Sequence, residues 1–140
     1  METKFVGRYE HSLDGKGRII LPRRFRLSFE ASAVVSKYNE GCLAVWTPAA
    51  FELKAAEMAP LLDGSTEDRN RARAFSVGST ELDLDAQGRL ALPAYLRDFA
   101  RLGEGSTVLV MGALTHIELW NPTAWAVQEA AGDAMLGVGV

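Results

Sequence analysis

At 140 residues, with 48% hydrophobic and 24% charged residues, the chain has the balance of an ordinary globular domain and enough length to bury a core. No apolar run approaches the roughly 18 residues of a membrane span, and the opening METKFVGRYEHSLD shows no secretory leader, so a cytoplasmic location is expected. The net charge of −3 excludes a uniformly basic nucleic-acid coat. Residues 1–30 nevertheless carry +3 against −6 on the remainder, which predicts one basic face on an acidic body.

In chain order, Val6–Leu13 reads as a strand of partly alternating character. Asp14-Gly15-Lys16-Gly17 supplies turn residues, and a short apolar run ends at Pro22, where a short helix is expected to begin. A hairpin follows, Val34–Ser36 with Leu43–Trp46, turning at YNEG. Thr47-Pro48 has the form of an N-cap and first-turn proline, opening a helix to about Met58. Ser65 and Asp68 at capping-box spacing start a third helix. The pattern then repeats. Val77–Leu84 is a strand, Asp85-Ala86-Gln87-Gly88 a turn and Pro93 the start of a short helix. Val108–Met111 and Ile117–Trp120 form a hairpin around GALT, and Asn121-Pro122 opens a helix to about Ala131.

The recurrence is a duplication. Val6–Arg26 aligns with Val77–Arg97 at an offset of 71, and ten of 21 positions are identical, where unrelated segments would share roughly one or two. Farther on, Trp46 and Pro48 match Trp120 and Pro122, after a short insertion near Leu102–Glu104. The expected organisation is a first repeat over 5–62, a connecting helix over 63–76, a second repeat over 77–131 and a tail over 132–140. Neither repeat has enough apolar faces to fold alone, so the two should interleave into one pseudo-symmetric, β-rich core. Trp46, Trp120 and Trp125 are expected to pack sheet ends against the following helices rather than to stack on bases. Cys42, alone in an apolar run, is expected to be a buried structural thiol.

The paired Asp-X-X-X-Arg signatures, Asp14–Arg18 and Asp85–Arg89, each followed by Leu-Pro and preceded by Gly7 or Gly78, resemble the MraZ family. The resemblance spans about residues 3–130. It implies a mainly β fold with short helices (α+β), an AbrB-like double-split β-barrel built from two pseudo-symmetric repeats. It also implies ring-shaped homo-oligomers and binding of repeated promoter boxes in double-stranded DNA. The function implied is a transcriptional regulator of a cell-division and cell-wall gene cluster, in the cytoplasm and on the nucleoid. Here the second copy has Gln87 in place of Lys16, and Ala94-Tyr95 in place of Arg23-Arg24.

Charge divides the copies. Residues 6–26 carry six basic and two acidic groups, whereas residues 77–97 carry two basic and three acidic. The first copy is therefore expected to meet DNA through Arg8, Asp14, Gly15, Lys16, Gly17, Arg18, Arg23 and Arg24. Arg18 can fork onto guanine O6/N7 or a phosphate, and Lys16 suits phosphate. Asp14 is expected to orient Arg18 or to accept backbone N–H groups. Asp85, Gly88 and Arg89 are expected to be structural, and an Asp–Arg ion pair is expected to close each turn. Many weak contacts in a ring would add up on repeated boxes.

Other classes fit less well. Asp14 and Asp85 could suggest an aspartic-protease pair, but the neighbouring Lys16, Arg18 and Arg89 would keep both ionised. His11, His116 and Cys42 lack metal-ligand spacing, and GKGR is not a phosphate-cradling loop, so no metal, cofactor or enzymatic activity is expected. An antitoxin-like or scaffold role without DNA is the alternative; it has no evident need for Lys16 and Arg18 together.

Overall fold

The computed structural model describes residues 4–137. The first repeat holds β1 (Arg8–Ser12), β2 (Arg18–Ile20), α1 (Arg23–Arg26), β3 (Ser32–Lys37), β4 (Leu43–Trp46) and α2 (Pro48–Met58). After α3 (Thr66–Val77), the second repeats the order as β5 (Ser79–Asp83), β6 (Arg89–Ala91), α4 (Ala94–Ala100), β7 (Thr107–Gly112), β8 (Ile117–Trp120) and α5 (Pro122–Met135).

The helices start where local chemistry places them. Thr47 Oγ1 accepts the Ala50 N–H at 3.1 Å, Asn121 Oδ1 accepts those of Thr123 and Ala124, and Ser65 and Asp68 cap each other reciprocally. Two strands are shorter than expected. Gly7 takes φ +86°, so β1 begins at Arg8; Val77 is the last residue of α3, so β5 begins at Ser79. Helix α5 runs to Met135, beyond the expected Ala131, and takes in part of the predicted tail. The end of that tail, residues 138–140, lies outside the described residues.

Six strands form one antiparallel sheet in the order β1-β7-β8-β4-β3-β5, and β2 and β6 form a separate antiparallel ribbon. The first strand of each repeat pairs with the third strand of the other, β1 with β7 and β5 with β3. Exchanging the repeats reverses the sheet order onto itself. A local twofold therefore passes between β4 and β8, and between Ile19 and Leu90 in the ribbon.

The closed barrel implied by the resemblance is not formed. The sheet ends at β1 and β5, which do not pair, and the ribbon lies beside those two strands. Each ribbon strand has only three residues between an Asp-X-X-Gly turn and a proline, and its ladder goes to its symmetry mate. The architecture is mixed α+β, with a mainly antiparallel sheet and short helices.

The interleaving gives one shared core. Phe5, Leu13, Ile19, Phe25, Val35 and Leu43 pack with Leu90, Leu96, Val110, Ile117 and Leu119, all nearly inaccessible. Outside the sheet, Phe75 of α3 stacks on Phe51 of α2 at 5.6 Å, above Trp46. Trp120 packs against Trp125 at 5.4 Å. Trp46 and Trp120 are buried, as expected of packing residues, and so is Cys42.

Candidate nucleic-acid interface

Each Asp-X-X-X-Arg segment folds into the same self-contained turn. In the first, the Asp14 N–H donates to the Arg18 carbonyl at 3.0 Å, and the Gly17 N–H to the Asp14 carbonyl at 3.0 Å. Asp14 Oδ1 accepts the backbone N–H groups of Lys16 (2.9 Å) and Arg18 (2.8 Å), while Oδ2 accepts Arg18 Nε at 2.7 Å. The second turn reproduces this with Asp85, Gln87 and Arg89 at 2.9, 2.8 and 2.7 Å. The ion pair expected to close each turn is present in both copies.

This arrangement sets the electrostatics. The Arg18 backbone N–H is the main cause that lowers the Asp14 carboxyl to about 2; desolvation opposes it, and the Arg18 guanidinium and Lys16 N–H assist. Asp85 is lowered too, first by the Arg89 N–H. Because Asp14 engages Nε, the two Nη groups of Arg18 are the donors left to face a ligand. Lys16 and Gly15 are exposed beside it.

The glycines have different roles. Gly17 (φ +75°) and Gly88 (φ +78°) hold the left-handed backbone that the turn requires. A side chain on Gly17 would also press on Arg97, 3.0 Å from its Nε. Gly15 has no positive φ and open space around it, and Ala86 occupies the equivalent place. The turn geometry therefore does not require a glycine at position 15.

The expected site residues do not gather in one place. Gly15, Lys16, Gly17, Arg18 and Asp14 form one group. Arg8 lies at the far end of β1, opposite Met111, roughly 20 Å along an extended strand from Asp14. Its Nη1 is held by Glu129 of α5 at 2.7 Å, so Arg8 is not part of the turn's rim.

Arg23 and Arg24 are exposed, but α1 sits at the other end of the ribbon. The Leu21 N–H donates to the Gly88 carbonyl at 2.9 Å, and Arg26 Nη1 to the Gln87 carbonyl at 2.7 Å. The converse holds at the first turn, where the Leu92 N–H donates to the Gly17 carbonyl at 2.9 Å and Arg97 lies against Gly17. The ribbon is antiparallel, so each strand delivers its following helix to the opposite repeat's turn. Sequence reasoning missed Arg26 and Arg97 as the crossing residues. Their identity at equivalent places in the two copies was the available signal.

A duplicated α+β protein with an Asp-X-X-X-Arg turn at each end of a central ribbon is the class that this geometry defines. The chain belongs to the MraZ family: the model of that family, described as "MraZ protein, putative antitoxin-like", matches residues 5–72 and again 75–135. Among curated relatives, a protein named transcriptional regulator MraZ from Roseiflexus castenholzii is 35% identical over 130 residues, 93% of this chain and 90% of its own. Relatives of the same name from Moorella thermoacetica and Nocardioides are each 36% identical. The match covers 86% of this chain and 83% of the Moorella protein, and 93% and 89% for the Nocardioides protein.

Proposed function

We propose that this chain is a transcriptional regulator that binds double-stranded DNA through its first turn. The observation that carries the reading is the Arg18 guanidinium, fixed by Asp14 through Nε, its two Nη groups unengaged among the described residues, next to exposed Lys16. Such a fork matches guanine O6/N7 in the major groove, and Lys16 matches a backbone phosphate. Gly15 lets the duplex approach, and Asp14 acts as the positioning residue. The name that the relatives carry supports a regulatory role.

A protomer with a net charge of −3 and one such turn binds weakly. A closed ring of protomers therefore engages repeated boxes and gains from effective concentration. The boxes lie upstream of its own gene within a cell-division and cell-wall cluster, where occupancy represses; the location is the cytoplasm and nucleoid. The interleaved, twofold strand order supports an AbrB-like relation. Among the described residues no helix is long and apolar enough to cross a membrane.

A gel shift on the chain's own upstream region, with Arg18→Ala beside wild type, tests this. One bidentate base contact is worth about 1–3 kcal/mol, so the variant should bind about 5-fold to 150-fold more weakly, with its assembly unchanged. Equal affinity would remove Arg18 from the interface.

A further inference from the structure

We propose that α1 and the second turn together form a second contact for duplex phosphates, built from Arg23 and Arg24, with Arg26 seating the helix. This rests on the reading of the first turn as a DNA contact. In sequence the first copy holds six of the eight basic residues of the two aligned units; in space its helix lies at the second turn. Two backbone-directed hydrogen bonds, Leu21 to Gly88 and Arg26 to Gln87, seat α1 against the Asp85–Arg89 turn.

The crossing thus brings the cations of α1 to the second turn. Around the second turn, Arg23, Arg24, Arg26 and Arg89 face Glu30, Asp83 and Asp85. Around the first, Lys16, Arg18, Arg97, Arg101 and Lys37, which lies over the Tyr95 and Phe99 rings of α4, face Asp14, Asp98 and Glu104.

The cations that α1 adds at the second turn are unpaired among the described residues. Among the described residues, exposed Arg23 and Arg24 have no carboxylate within ion-pair distance, while Arg26 is the residue that seats the helix. The equivalent Arg97 gives its Nε to the Leu92 carbonyl and has Glu104 at 4.0 Å. The turns themselves are the same, so a duplex surface that fits one backbone fits the other. Gln87 replaces the cation at the tip, and the charge stands instead on the flanking helix. Cations set back from the tip reach phosphates rather than base edges, so this end grips without reading sequence.

The test is the salt dependence of binding to two duplexes of equal length, the upstream region and a scrambled version of it. Each neutralised phosphate contributes about 0.9 to the log–log salt slope. For Arg23→Ala/Arg24→Ala the slope should fall by about 1.8 on both duplexes. The loss of affinity between about 50 and 200 mM salt then becomes about tenfold smaller than for wild type. Preference for the upstream duplex should stay as in wild type, and Arg23→Lys/Arg24→Lys should restore the slope.

An unchanged slope in the alanine variant would overturn the proposal, as would an equal fall in Arg71→Ala/Arg73→Ala on α3, which would reduce the effect to net charge. A wild-type protein that binds neither duplex would instead overturn the reading of the first turn, and this inference with it.

Discussion

Asp14 accepts three hydrogen bonds, two from backbone N–H groups and one from Arg18 Nε, and each favours the ionised carboxylate. Its pKa falls from 3.8 to about 2. A carboxyl depressed by folding contributes stability that is present above the unfolded value and lost as pH falls through the folded one. The turn is therefore intact at pH 5 and weakens between about pH 4 and pH 2. A carbon NMR titration of the aspartate carboxyls should show Asp14 and Asp85 both titrating below the ordinary range, with Asp14 near 2. An Asp14 midpoint near 3.8 would mean that the bonds to Arg18 do not persist in solution, and that nothing fixes its guanidinium.

At the scale of elements, the punctuation of the chain was readable because it is local. Thr47-Pro48, Asn121-Pro122 and the Ser65–Asp68 box each act within a few residues, and the helices begin there. The Asp-Gly and Asp-Ala turns were equally legible, but only the structure separates the two glycines of the first one. Gly17→Ala, strained at φ +75° and crowding Arg97, should cost about 1–3 kcal/mol. Gly15→Ala should cost almost nothing, since Ala86 already stands at its equivalent and no atom lies within 4 Å. Thermal melts of the two variants check this; equal melting temperatures would contradict the assigned roles.

The crossing of α1 to the second turn was not legible at this scale. It depends on β2 pairing with β6 about 70 residues away, and a charge count along the chain carries no such information. The same gap misplaced Arg8, whose partner Glu129 lies 121 residues on.

For the molecule as a whole, the duplication foretold the interleaving, but the pairing that achieves it needed coordinates. Because β1 depends on β7 and β3 on β5, one repeat by itself leaves both β1 and the outer edge of β3 unpaired. Residues 1–64 alone should consequently be either unfolded or dimeric with a second copy, never a folded monomer. Sedimentation and circular dichroism would decide, and a folded monomer would contradict the shared core. The duplication also explains how an acidic chain can hold basic ground. Identical scaffolds at the two ends of one ribbon are free to carry different side chains without disturbing the fold.

The placement of DNA at the first turn can be tested by proximity. Cys42 is the only cysteine, and burial in the core pushes its thiol far up, leaving the background unreactive. A photoreactive aryl azide attached to Gly15→Cys should cross-link to the upstream duplex, and one attached to Glu67→Cys on α3 should not. Cross-linking from position 67 with none from position 15 would put the DNA on another face and contradict the account.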